Sequence, residues 1–422
     1  MGHSSRLFPF AVPRLLHTAD WQIGKPFRWI DDPERRSRLQ RARLEAIERI
    51  ISLGSSHNVD VVLVAGDLFD SSTVDAASVM ETLELIGSSD VPVLVIPGNH
   101  DHGGAGGVWR RSDVQQEMAL RAANLQLLLS PAPLSCAGIT VLPCPLRRQH
   151  ESVSPGAWIE SLDWDSLDPH QPRVVLAHGS VQGFRGADYE HEQPNTASDR
   201  RPRSTEANQL HPSRWNISSY DYLALGDWHA LKPVGEKGWY CGTPEPDRFP
   251  TSDDDQRGQV LIVDVERGQQ PVVSPAASAS LQWHRHSVTL RSHADLKQLE
   301  NAITERTSRR VGRDLLRLEL DGQLGLDDHH QLNDLLDNLQ TRLLHLRVRG
   351  QCHRRPQGDE LSGLLQRHDA PLISRIAQQL QQAIDQADAN DQDQRDLLEA
   401  SLCELHRLSA ALNENHELEA AA

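Results

Sequence analysis

The feature that most constrains this chain is a series of short apolar runs that stop abruptly at Asp, Asn or His. Val-Val-Leu-Val at Val61–Val64 and Val-Leu-Val-Ile at Val93–Ile96 are β-branched and uninterrupted. Runs of this kind suit strands buried on both faces and flanked by helices. Strands are expected at Arg14–Ala19, Val59–Ala65, Val91–Ile96, Ile139–Leu142, Arg173–Ala177, Tyr222–Leu225 and Val260–Val265. Helical spacing lies between them at Pro33–Leu53 and Ala76–Ile86. The expected fold class is therefore α/β, a layered domain reaching to about residue 270–275.

Beyond Leu281 the pattern changes. Strand-like runs at His286–Leu290, Arg313–Leu320 and Leu343–Arg349 alternate with helical patterns at Ala294–Thr307 and Leu326–Arg342, a β-α-β-α-β order. The expected division is a catalytic domain over 1–275, a small α/β capping domain over 281–352 and a helical region over 356–422. In the last, Leu372, Ile376, Leu380 and Ile384 recur every four residues, and Leu398, Leu402, Leu405 and Leu408 resume the pattern. A helical hairpin with one apolar stripe per helix follows, packed on its own domain or docking a partner's helices. The polar stretch from Ser180 to Trp215 is either functional or disordered.

Charge and cysteine content bound the function. The 422 residues carry a formal net charge of −16, which argues against a surface coated for nucleic acid but leaves room for one local groove. From Pro371 onward three arginines face ten carboxylates, whereas Glu34–Arg49 holds six arginines. That basic helix is either a phosphate-contacting face or an ordinary solvated one. Cys136, Cys144, Cys241, Cys352 and Cys403 are odd in number and lack paired spacing, so reduced thiols in a cytoplasmic protein are expected. Met1 to Phe10 has no long apolar core, so no secretory signal is expected, and no stretch is apolar enough for a membrane span.

Five segments carry the chemistry, four of them at the end of an expected strand: Thr18-Ala-Asp20-Trp-Gln22, Ala65-Gly-Asp67, Pro97-Gly-Asn99-His100-Asp101, Ala177-His178 and Leu225-Gly-Asp227-Trp-His229. Strand ends of an α/β sheet converge on a common crevice. Asp, Asn and His there are ligands for divalent cations, and together they imply two-metal phosphoester hydrolysis with Asp67 as the bridging carboxylate. An imidazole beside the metals, His100, suits protonation of the leaving alkoxide. No phosphate-binding loop for ATP and no serine-nucleophile motif accompanies them.

These motifs resemble the signature of calcineurin-like metallophosphoesterases. Leu16-His-Thr-Ala-Asp20-Trp-Gln22-Ile-Gly24 and the run Gly242–Phe249 are closer still to the DNA-repair exonuclease branch, the SbcD-type subunits. The resemblance implies a β sandwich flanked by helices, with metals at its strand ends. It implies one cation held by Asp20, Gln22, Asp67 and His229, and a second held by Asp67, Asn99, His178 and Asp227. His100, steered by Asp101, is the implied general acid. Arg28, Arg185 and Arg248 are the expected substrate contacts at the rim, beside Lys25 and Trp29. The implied partners are DNA and an SbcC-like coiled-coil ATPase docked on the C-terminal helices, with a homodimer compatible and no membrane.

Two positions depart from the family pattern: Gln22 stands where His is usual after the first Asp, and Asp227 where the last motif has its first His. Both exchange nitrogen for oxygen, which leans the site towards Mn²⁺ or Mg²⁺ and away from Zn²⁺. Two alternatives stay open: a phosphatase or phosphodiesterase for nucleotides or other small phosphoesters, and an interaction subunit with a weakened site.

Overall fold

A computed structural model describes residues 12–181, 207–252, 254–307, 310–354, 358–387 and, with gaps at 396 and 407, 394–409. The chain divides into two units, the first ending at Gln282 and the second beginning at Trp283.

The first unit runs β1 (Arg14–Thr18), α1 (Pro33–Ser56), β2 (Val61–Ala65), α2 (Ala76–Gly87), β3 (Val93–Ile96), α3 (Ser112–Arg121) and β4 (Leu125–Leu127). It continues through β5 (Leu134–Cys136), β6 (Ile139–Cys144), β7 (Arg173–His178), β8 (Ser180–Val181), β9 (Gln209–Leu210) and β10 (Tyr222–Gly226). It closes with β11 (Lys232–Val234), β12 (Gly238–Tyr240), β13 (Gln259–Asp264) and β14 (Val272–Ala277). Two six-stranded sheets result, ordered β14-β13-β1-β2-β3-β4 and β11-β12-β10-β7-β6-β5. Strands β1 to β4 are mutually parallel, as are β6, β7, β10 and β12. The expected α/β class and layered sandwich are what the chain adopts.

The alternation of each strand explains why its apolar run is unbroken. Leu15, Val61, Leu63, Leu94 and Ile96 point between the sheets, where they meet Val141, Val174, Leu176 and Tyr222. Leu16, Val62, Val64, Val93 and Val95 point outward onto Ile47 and Ile50 of α1 and Val79, Leu83 and Ile86 of α2. Each such side chain removes apolar surface from water worth roughly 1.5–3 kcal/mol. Asp32 and Asp75 cap α1 and α2 by accepting backbone N–H bonds, and Pro33 opens α1 where no N–H is needed.

α-Helices flank only one sheet of the sandwich among the described residues. The outer face of the second sheet, formed by Val175, Ala177, Leu223 and Leu225, is covered by short 3-10 helices at Ala157–Ser161, Trp164–Ser166 and Pro212–Arg214. Trp158, Trp164 and Trp215 supply most of the bulk there. Isolated tryptophans in polar sequence carry no helical period, so this cover is not legible in the sequence. The edge strands β4, β5, β11 and β14, and β12 beside β11, escape sequence reading for a related reason: they are short or half-exposed.

The second unit contains β15 (Gln282–Leu290), α4 (His293–Thr307), β16 (Asp314–Leu324), α5 (Leu326–Arg342), β17 (His345–Gly350), β18 (His353–Arg354), α6 (Gly358–Leu365) and α7 (Pro371–Gln386). Its β-α-β-α-β core has the sheet order β15-β16-β17, with Leu296, Leu299, Ile303, Leu332 and Leu339 of the helices packed on Leu316 and Leu318. The stripe on α7 divides differently from its sequence period. Ala377 and Ile384 are buried with Leu364 and Leu402, and Ile373 and Leu380 pack against them. Leu372 and Ile376 instead remain exposed, at 71% and 37%. The reason is helical geometry: a strict four-residue repeat drifts around a 3.6-residue turn, so its first members leave the packed face.

Candidate metal centre

Parallel pairing brings the C-terminal ends of β1, β2 and β3 to one edge of the first sheet, and those of β7 and β10 to the matching edge of the second. The edges meet. His178 Nδ1 lies 2.8 Å from the Ala65 carbonyl, and the Asp227 N–H points at both Asp20 oxygens, at 3.3 and 3.2 Å. Asp20, Asp67 and His178 are all buried, and each offers a ligand atom within 4.8 Å of the others.

The backbone is shaped for this approach. Asp20, Gln22, Asp67 and Asp227 all have positive φ, at 55°, 44°, 53° and 99°, which L-residues rarely adopt and which marks functional sites. Gly66 has a φ of 87°, and a Cβ there would stand 2.3 Å from His178 Nδ1 and 2.9 Å from the Gly98 Cα. The Gly-Asp and Gly-Asn pairs of the sequence are thus a spatial requirement: side chains before Asp67 and Asn99 would fill the space where the strand ends close.

The residues named from sequence converge in two groups. His178 Nε2 lies 2.8 Å from Asn99 Oδ1, 3.5 Å from Asp67 Oδ2 and 3.8 Å from Asp227 Oδ1. Ser180 donates its hydroxyl to Asp227 Oδ2 at 3.0 Å. Across the centre, His229 Nε2 lies 3.9 Å from Asp20 Oδ1 and 3.3 Å from Gln22 Nε2.

The electrostatics show a cluster that calls for positive charge. Burial first, and then Asp67 and Asp227, raise the Asp20 carboxyl well above the usual range. Burial opposes charge on His178, but Asp67, Asp20 and Asp227 outweigh it and lift its pKa to about 9. A divalent cation would satisfy the same oxygens and the same imidazole nitrogen. The donor set fits such an ion: carboxylates, an amide oxygen and imidazoles gathered in a site a Cβ would fill.

One assignment is corrected. Asp101 does not steer the His100 ring; its carboxylate accepts backbone N–H bonds from Gly98 at 2.7 Å, Leu68 at 3.0 Å and Phe69 at 3.4 Å. The His100 Nδ1 atom instead meets the Asp70 carbonyl at 2.8 Å, while its Nε2 stands 4.0 Å from Asp67 Oδ2. Adjacent side chains on this turn diverge, so Asp101 turns into the protein, where it ties the second and third motif loops together. Burial pushes its carboxyl up to about 6.

Among the expected substrate contacts, Arg28 is exposed on the turn after the first motif. Arg248 is half-buried and its charge acts on His229. Arg185, with Arg201 and Arg203, lies outside the described residues. The Arg-rich helix is engaged within the protein: Arg38 with Glu45, Arg41 with Glu81, Arg43 with the Trp21 carbonyl, and Arg49 with Glu245 and the Ser278 carbonyl. Asp247 is a site residue that sequence reasoning missed. It is buried, with Oδ2 2.9 Å from His229 Nδ1 and 3.1 Å from Lys25 Nζ, and Oδ1 3.1 Å from Arg257. Its signal is present inside the Gly242–Phe249 run, but nothing in linear spacing ties it to His229.

The family model described as calcineurin-like phosphoesterase matches residues 13–231. The DNA double-strand break repair protein Mre11 of Haloferax volcanii is 27% identical over 257 residues, covering 60% of this chain and 49% of that protein. The D component of the SbcCD nuclease of Bacillus subtilis is 36% identical over 95 residues, covering 21% of this chain and 22% of that protein. Its counterpart in Escherichia coli K12 is 23% identical over 269 residues, covering 56% of this chain and 61% of that protein. The matches thus span at most about three fifths of the length of these relatives.

Proposed function

We propose that this chain, which belongs to the calcineurin-like phosphoesterase family, hydrolyses phosphodiester bonds at DNA ends using two divalent cations. The carrying observation is the convergence of Asp20, Asp67, Asn99, His178, Asp227 and His229 on one edge of the paired sheets. Relatives named for nuclease activity and double-strand break repair support the choice of DNA.

Asp20, Gln22, Asp67 and His229 would hold one cation, and Asp67, Asn99, His178 and Asp227 would hold the other. The oxygen-rich set favours Mn²⁺, with Mg²⁺ next. Bound cations polarise the phosphoryl oxygens and lower the pKa of a coordinated water. The protein's part is positional. His229 donates Nδ1–H to Asp247 and so keeps Nε2 as a lone-pair donor. His178 is held in the same way by the Ala65 carbonyl. His100, held through Nδ1 by Asp70, gives a proton from Nε2 to the departing alkoxide oxygen. Arg28, exposed after the first motif, and Arg248, next in sequence to Asp247, bind backbone phosphates.

A relative named as one component of the two-part SbcCD nuclease suggests a companion chain, here an SbcC-like ATPase. The exposed Leu372 and Ile376 on α7 support its docking on the C-terminal helices. No helix among the described residues is long and apolar enough to cross a membrane. A cytoplasmic setting accords with the buried, unpaired Cys144 and Cys241.

The test is degradation of end-labelled linear duplex DNA by the full chain with Mn²⁺, with and without EDTA, beside His100→Ala. Metal-dependent shortening lost in the variant is expected. Inertness on DNA with rapid phosphate release from mononucleotides would move the substrate to small phosphoesters.

A further inference from the structure

The two halves of the centre differ in the fixed charge that stands beside them. On the Asn99–His178 side the inward groups are two carboxylates, an amide oxygen and one imidazole. With His178 Nδ1 on the Ala65 carbonyl, Nε2 faces Asn99 Oδ1, Asp67 Oδ2 and Asp227 Oδ1, at 2.8, 3.5 and 3.8 Å. A cation arriving there meets two carboxylates, an amide oxygen and the imidazole.

The Gln22–His229 side is already partnered. His229 Nε2 is the acceptor of a ring whose Nδ1–H goes to Asp247, and the Gln22 amide donates to it across 3.3 Å. The Gln22 oxygen is turned to Lys25, whose ammonium stands 2.6 Å from Oε1 and 3.1 Å from Asp247 Oδ2. Lys25 is held in place, because its side chain is only 23% exposed and its carbonyl accepts from Gln40 at 3.2 Å. A fixed positive charge therefore stands directly behind Gln22.

We propose that Lys25 makes the two cation positions unequal. The position of Asp67, Asn99, His178 and Asp227 fills first and tightly, and that of Asp20, Gln22, Asp67 and His229 fills weakly. Two physical causes act together. To ligate an ion, the Gln22 oxygen must leave a charge-assisted hydrogen bond to an ammonium. The ion must also enter next to a like charge in a partly desolvated site, where repulsion is poorly screened. The inference rests on the two-cation reading above and adds an order of filling, set by a residue that ligates neither ion. In this chain the departure at Gln22 and the lysine three residues on act as one unit.

The experiment is Mn²⁺ titration of the full chain without DNA, by calorimetry and by the electron paramagnetic resonance signal of free Mn²⁺. Wild type should show one tight class and a second weaker by about tenfold or more. Lys25→Met should tighten the weaker class until the two lie within about threefold, while Lys25→Arg, which keeps the charge, should preserve the gap. Gln22→His, which removes the captured oxygen, should narrow the gap as well and covers the case in which Lys25→Met fails to fold. Two equal classes in wild type, or an unchanged gap in folded Lys25→Met, would overturn the inference. Asp67→Asn separates this failure from that of the centre itself. If it abolishes two equal classes, the centre stands and only the role of Lys25 falls. If wild type binds no Mn²⁺, or Asp67→Asn binds as wild type does, both fall.

Discussion

His229 donates Nδ1–H to Asp247 Oδ2 across 2.9 Å, and both residues are buried. A buried imidazole held this way has one orientation and one tautomer, with Nε2 unprotonated and aimed at the side of the centre where Asp20 lies. Partners of this kind raise ligand basicity and set ring geometry, and losing them costs about 10–100-fold in metal affinity. Asp247→Asn should therefore lower Mn²⁺ affinity by about that factor. Calorimetric titration of the variant checks it, and affinity unchanged within twofold in a folded protein would remove Asp247 from the site.

Asp101 makes a different prediction because it faces away from the chemistry. Its carboxylate receives N–H bonds from Gly98, Leu68 and Phe69, all in buried backbone. Asp101→Ala leaves those donors unmet, at a cost of about 2–4 kcal/mol of folding stability given 1–3 kcal/mol per orphaned group and partial relaxation. Urea unfolding of wild type and variant measures it. A loss of activity with no loss of stability would instead return Asp101 to a direct role beside His100.

Gly66 is predicted to tolerate no side chain. Its φ of 87°, and the 2.3 Å that would separate a Cβ from His178 Nδ1, leave Gly66→Ala with both strain and collision. Displacing His178 should weaken Mn²⁺ binding by at least about tenfold and lower the melting temperature. A fully stable, metal-binding Gly66→Ala would show that the strand ends do not close as described.

His17 supplies a pH dependence away from the centre. It is wholly buried between the sheets, with Nδ1 2.8 Å from the Tyr222 hydroxyl, and burial pushes its pKa down to about 3 from an ordinary 6.5. The unfolded chain takes up a proton below pH 6.5 that the folded chain refuses until about pH 3. The contribution to stability is therefore complete above pH 6.5 and is lost as pH falls towards 3, by about 1.4 kcal/mol per unit within that window. Between pH 7.5 and 5, wild type should lose about 2 kcal/mol more than His17→Gln in urea unfolding. Equal losses would show that His17 is protonated in the folded protein.

The strand–helix order and the five motif segments were legible in the sequence because each depends on short-range rules. Unbroken β-branched runs such as Val61–Val64 need apolar cover on both faces, and a polar residue at a strand end has to serve a turn or a site. What lies far apart in sequence was decided by the tertiary structure. Asp247 and Lys25 stand at opposite ends of the first unit's sequence and meet only because the loop after β12 folds back on the first motif. The Asp70 carbonyl takes His100, where the neighbouring Asp101 was expected, because consecutive side chains on a tight turn point in different directions. Residue types announce which chemistry a chain can perform; distances between backbone segments decide which atoms perform it.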